Sequence, residues 1–189
     1  MSNLLHPGLI LIAVGVLAVL VPKMLRKFIL AIGPFFALFA ALSMPVGTDL
    51  SIEFFGTGYH LGYMFVDKLS YVFCMIFALM ACIGGIYSCH NENRMEAFCS
   101  MSYAGCALGV TLAKDWLTLI FFWEALAVTS LFLIWCRNTP QSRRAGLRYL
   151  WCTCSAVPAA ARYLPEGCIG DSLIAICLRL RMTLLSGQF

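Results

Sequence analysis

Charge is what this sequence most lacks. Its 189 residues include 13 Lys and Arg and 9 Asp and Glu, 12% in all, against 61% hydrophobic residues. That is too little polar surface to cover a water-soluble globule of this length. No phosphate-binding glycine loop occurs and quinone sites have no short signature, so the sequence assigns neither a flavin nor a quinone. There is no nucleophile–base pair and no metal-ligand set, which argues against a small enzyme working inside the membrane with a site of its own. Lys and Arg are also missing ahead of the first apolar run, and no A-x-A pattern follows it. A cleaved signal peptide is therefore disfavoured, and the run reads as a mature helix.

What the chain has in quantity is long apolar segments. A hydrocarbon core about 30 Å thick needs roughly 20 apolar helical residues, and five windows approach that length. They run from about Leu4 to Val21, Phe28 to Met44 with an internal Gly33-Pro34, Leu69 to Ser88, Ala97 to Ala113, and Asp115 to Trp135. The expected fold is an all-α integral membrane protein of about five transmembrane helices. Between the second and third windows, "GTDLSIEFFGTGYHLGYMFVDKLS" alternates polar and apolar residues around Gly56-Thr57-Gly58, which predicts a short extracytoplasmic β-hairpin.

Basic residues orient such a bundle, because short loops rich in Lys and Arg stay on the cytoplasmic side. Lys23, Arg26 and Lys27 mark the first loop as inside, and Arg137, Arg143, Arg144 and Arg148 do the same after the fifth window. Asp49, Glu53 and Asp67 mark the second loop as outside. The chain is thus expected to be a multi-pass protein of the inner (cytoplasmic) membrane with an extracytoplasmic N-terminus. The formal net charge of +4 has this topogenic explanation, so no nucleic-acid partner is inferred. Gly105-x-x-x-Gly109 and Gly84-Gly85 predict close helix contacts. Among the ten cysteines, Cys74, Cys82, Cys99, Cys106 and Cys136 fall in or at the ends of apolar windows and read as small hydrophobes, not as a disulfide framework. His6, His60 and His90 read as surface residues, not ligands.

One carboxyl group stands out. Glu124 lies nine residues after Asp115 and eleven before Trp135, near mid-depth of an otherwise apolar window. An ionisable group there costs about 2.5–3.5 kcal/mol even on the lenient insertion scale, so it is expected to face a bundle interior or an aqueous cavity. Its helical neighbours Ile120, Phe121, Ala127 and Val128 offer it no partner, so one is expected from another helix. Desolvation and a nearby positive charge move a carboxyl pKa in opposite directions, and a group poised between them suits proton relay. The alternative is a neutral Glu that fastens two helices together.

Three stretches carry a family resemblance: "VDKLSYVF" (Val66 to Phe73), "AKDWLTLIFFWEALAVTSLFLI" with its Trp-Glu pair, and "AGLRYL" (Ala145 to Leu150). In this order they resemble the antiporter-type membrane subunits shared by respiratory complex I, multisubunit (Mrp-type) Na+/H+ antiporters and membrane-bound hydrogenases. The likeness is nearest to the D-like antiporter subunit and covers about Asp67 to Leu150. It implies a subunit of a cation/proton antiporter or of a complex I-like, NADH:quinone oxidoreductase-like or hydrogenase-like translocase. Its partners would be other membrane subunits, the lipid bilayer and protons or Na+, with no cofactor or metal of its own. In that family the fifth-helix Glu pairs with a Lys of the seventh helix, and of the family's polar line only Glu124 is matched here. Asp67 and Asp115 match at helix entrances, where capping of the helix dipole accounts for them.

The family's subunits are far longer and contain inverted repeats. From about residue 152 to 189 this chain changes character, with four of its cysteines, two prolines, and Arg162, Arg179 and Arg181 among apolar residues. Cys152-x-Cys154 with Cys168 and Cys177 fits no zinc or iron–sulfur template. This atypical tail reads as irregular, an out-of-frame extension following a transmembrane region of residues 1–151. The second functional reading is accordingly a structural, non-transporting or truncated subunit whose Glu124 only supports helix packing.

Overall fold

A computed structural model describes residues 6–53, 60–90 and 93–161. The chain divides into two compact units, Met1–Arg137 and Asn138–Phe189. The first contains α1 (Pro7–Leu20), α2 (Lys23–Leu42), β1 (Asp49–Glu53), β2 (His60–Phe65), α3 (Lys68–Ser88), α4 (Arg94–Leu112) and α5 (Trp116–Trp135). In the second, α6 spans Pro140–Ala161. The change in composition near Trp151 falls inside α6, so the stretch expected to be irregular from there is helical as far as Ala161. The rest of the tail, including Cys168, Cys177 and its three arginines, lies outside the described residues, as does the Gly56-Thr57-Gly58 turn.

Three helices, α2, α3 and α5, are long and apolar enough to cross a bilayer. The first window was expected to form a full span, yet α1 has only 14 residues. Its start is set by Pro7 at the first helical position, where a missing N–H costs nothing, and its end by Pro22 just beyond the C-cap. Lys23, Arg26 and Lys27 are likewise not loop residues. They form the first turns of α2, and only Val21 and Pro22 separate the two helices.

Small residues determine how the helices meet. α1 packs most extensively on α4, and Gly8 and Gly105 lie backbone to backbone at that crossing. A Cβ on Gly105 would sit 2.5 Å from the Gly8 carbonyl oxygen and 2.8 Å from Ile12. Gly109, one turn on, faces the Phe122 ring of α5, so the two glycines of the motif serve two different interfaces. In the Gly84-Gly85 pair, Gly85 alone is an approach point, while Gly84 faces open space. Gly85 sits against Pro34 and the Leu30 carbonyl, the acceptor that Pro34, lacking an N–H, leaves without its helical donor.

These crossings yield a contrast between two glycines. Gly105→Val should lower unfolding stability in detergent by about 2 kcal/mol, because a rigid backbone carbonyl cannot move aside for the new atoms. Gly84→Val, with nothing in its way, should leave the unfolding transition unchanged or raise it slightly. Equal destabilisation of both variants would contradict the packing described.

The core has two parts. At one end, Leu11, Ala37, Ala41, Met64, Val66, Ala78, Leu108 and their neighbours join α1 to α4 with the hairpin, and toward the other end Val14, Ala18, Leu30, Ala97 and Met101 continue it. The strands pair antiparallel, Asp49 opposite Phe65 and Glu53 opposite His60, with a register break after Leu50 that leaves Tyr63 as the extra residue of β2. Such a bulge bends its strand and re-aims side chains; here Met64 and Val66 are buried, and Tyr63 reaches the His6 ring. Large apolar side chains remain exposed along α2, among them Phe28, Phe36 and Phe39 at 64%, 64% and 70%. Such a surface suits contact with lipid rather than water.

Candidate functional site

Glu124 sits midway along α5, about 13 Å of helix from Asp115. It is half-buried, and its Oε1 is withdrawn from solvent. Three and seven residues turn a helix by about 60° and 20° net, so Glu124 shares a side with the buried Ala127 and Leu131. Thr118 and Phe122, buried as well, belong to the opposite side. Trp123 beside it is exposed. The hydroxyls further along α5 are engaged by their own helix: Thr129 donates to the Ala125 carbonyl at 2.9 Å and Ser130 to that of Ala127 at 2.8 Å. Such back-bonding satisfies a hydroxyl in an apolar setting.

The mouth of α5 is built differently from expectation. Asp115 and Asp67 do occupy N-cap positions, but neither side chain makes a capping hydrogen bond. The Asp115 carboxylate reaches out of its helix and accepts the Gly62 N–H at 2.5 Å, while its own N–H donates to the Gly62 carbonyl at 3.2 Å. Next to it Lys114 pairs with Asp49 of β1, an exposed ion pair of small energetic weight. Asp115 therefore fastens the hairpin to the bundle. Removing a charge-assisted hydrogen bond costs about 2 kcal/mol. Asp115→Ala should accordingly speed hydrogen exchange at the Gly62 amide roughly thirtyfold. An unchanged rate at Gly62 would show that the hairpin is held by something else.

His6 departs furthest from its expected place. Read from sequence as a surface residue, it is 2% exposed. Its ring stacks on Phe122 of α5 at 5.6 Å and 15° and tilts against Tyr63 of β2 at 6.1 Å. Nδ1 accepts the Gly8 N–H at 3.1 Å, so His6 is the N-cap of α1 and the neutral ring carries its proton on Nε2. Nε2 is buried and has no hydrogen-bond partner among the described residues. At this position outside the helix, burial lowers the His6 pKa from 6.5 to about 4. The sequence signal for it was the His-Pro pair opening an apolar run, which is an N-cap followed by a first-turn proline. His90 is exposed as expected, and the His60 side chain lies outside the described residues. Ser102 of α4 and Thr118 of α5 also hold buried hydroxyls without a hydrogen-bond partner among the described residues. Neither was singled out by pattern.

The opposite end of the unit is basic. Arg26 is 2% exposed, and Arg94 Nη1 donates to the Val19 carbonyl at 3.2 Å. The Cys89 thiol donates to the Lys27 carbonyl at 3.1 Å. Burial pushes the Cys89 thiol up, with the Lys27 charge acting against that shift. Cys74, Cys82, Cys99 and Cys106 are free and buried, in keeping with their reading as small hydrophobes. Among the described residues no group of three or more His, Cys, Asp or Glu is placed to hold a metal ion. No protein-family profile, curated protein or solved structure matches this chain.

Proposed function

We propose that this chain is a membrane subunit of a multisubunit cation/proton antiporter or a complex I-like proton-pumping oxidoreductase, in which Glu124 relays protons. The observation that carries this reading is a partly enclosed carboxyl group halfway along α5, a helix apolar and long enough to cross a bilayer. A carboxyl group there stays only where it is used or held, and ion pathways are its commonest use. Five helices cross the inner membrane in this proposal, with α1 relying on its neighbours to make up for its length. Lys23, Arg26, Lys27, Arg94 and Arg137 at one end and the acidic hairpin at the other support a cytoplasmic basic end and an extracytoplasmic hairpin. Electron transfer, where the assembly performs it, belongs to other subunits, and protons or Na+ are the transported species.

A scaffold role is favoured by a separate observation, that Glu124 lies on the same side of α5 as the buried Ala127 and Leu131, where a neutral carboxyl group could fasten helices. Substituting Glu124 in the assembled complex and measuring ion coupling and assembly side by side distinguishes the two. Loss of coupling with assembly intact supports the relay. Loss of assembly, in a parent without measurable ion flux, supports the scaffold.

A further inference from the structure

The exposed side of α2 combines two features that the transport reading leaves without a role. Phe28, Ile32, Phe35 and Phe39 follow one another at spacings of four, three and four residues, so they form one stripe along the helix, and all four are exposed. The stripe is about 17 Å long, close to the roughly 15 Å of hydrocarbon in one leaflet. From Ile32 to Leu42 the side chains leave a groove of about 410 Å³, lined by apolar residues alone. At the head of the stripe stand Lys23 and Lys27, one turn apart on one side of α2 and both exposed. Among the described residues at this end of the first unit, the five cations Lys23, Arg26, Lys27, Arg94 and Arg137 are offset by Glu96 alone.

We propose that this side of α2 is a seat for one anionic phospholipid, whose headgroup phosphate rests on Lys23 and Lys27 while an acyl chain lies along the aromatic stripe. Charge selects this occupant. Copies of a membrane protein insert in one orientation, so pairing two α2 faces about a two-fold axis would set Lys23 and Lys27 against their own counterparts. A net negative headgroup neutralises those charges instead, and the local field of the remaining cations adds to the attraction. The groove supplies the other half of the recognition. Gaps between aromatic rings offer a flexible methylene chain close contacts along its length, which a flat helix face does not. The seat requires α2 to cross the bilayer and nothing of Glu124, so it stands apart from the transport reading.

The test uses the full chain in vesicles that carry a photoreactive group on the acyl chain of either phosphatidylglycerol or phosphatidylcholine, with labelled residues mapped by mass spectrometry. Each lysine near an anionic headgroup is worth roughly a fivefold preference, so at low salt the α2 stripe should take the phosphatidylglycerol probe about twenty-five-fold over the other. High salt should shrink that ratio, and free inorganic phosphate should not displace the probe. Replacing both lysines (Lys23→Gln with Lys27→Gln), exposed positions where the fold loses no packing, should bring the ratio close to one while the stripe is still labelled. Leu79, Ile83 and Ile86 of α3, exposed at the same end with no basic residue in that helix's last turn, should show a much smaller preference in the parent. Equal labelling of α2 by the two probes, a preference that survives loss of both lysines, or cross-links from α2 to a second copy in place of lipid would overturn the proposal.

Discussion

Replacing Glu124 with glutamine should leave the helices packed and, under the proposed relay, suppress proton movement. Gln keeps the volume and hydrogen-bonding capacity of a protonated Glu, so α5 has no steric reason to shift, but it cannot release or accept a proton in the working range. Loss of a positioned proton-transfer group lowers rates by about two to four orders of magnitude. Proton uptake by vesicles containing the assembled complex, followed with a pH-sensitive dye, should fall by at least about a hundredfold on that scale. Glu124→Asp retains the titrating group on a shorter arm and should keep part of the activity. Coupling that survives Glu124→Gln undiminished would remove the relay and leave the packing role.

Acidification should weaken the first unit through His6. The ring is neutral in the folded protein because its Nδ1 accepts the Gly8 N–H and because burial lowers its pKa from 6.5 to about 4. Between these values the unfolded chain binds more protons than the folded one, so stability falls as pH decreases. The contribution is fully present above pH 6.5, is lost progressively as pH falls toward about 4, and changes no further below that. Integrated over the window, the loss is on the order of 3 kcal/mol. His6→Asn preserves an N-cap acceptor and does not titrate. The difference between parent and variant in unfolding free energy, measured from pH 7 to pH 4, therefore isolates this term from the carboxylates that titrate nearby in pH. A constant difference would mean that His6 is protonated equally in both states.

The two residues behind these predictions were legible in the sequence to different degrees. Glu124 was visible because an apolar run makes one carboxyl group conspicuous, and α3 and α5 begin and end within a residue or two of their hydropathy windows. α2 starts five residues earlier than its window because Lys23, Arg26 and Lys27 are good helix formers that a charge-free criterion rejects. The hairpin strands were readable from their alternation. His6 was not, since its burial depends on Tyr63 and Phe122, residues far along the chain that only tertiary packing brings to it. The same holds for Asp115, whose position suggested a cap and whose carboxylate instead binds β2. Composition and period report how one segment meets its surroundings, and they say nothing about which distant segment supplies them.

The brevity of α1 bears on how the protein is made. At about 21 Å, it falls roughly 9 Å short of the hydrocarbon thickness, and the glycine-lined surface it packs against belongs to α4. As the ribosome delivers the chain, the first greasy segment emerges long before its seat exists. In the five-span arrangement proposed, it waits beside α2, incompletely lodged, until the fourth helix arrives to receive it.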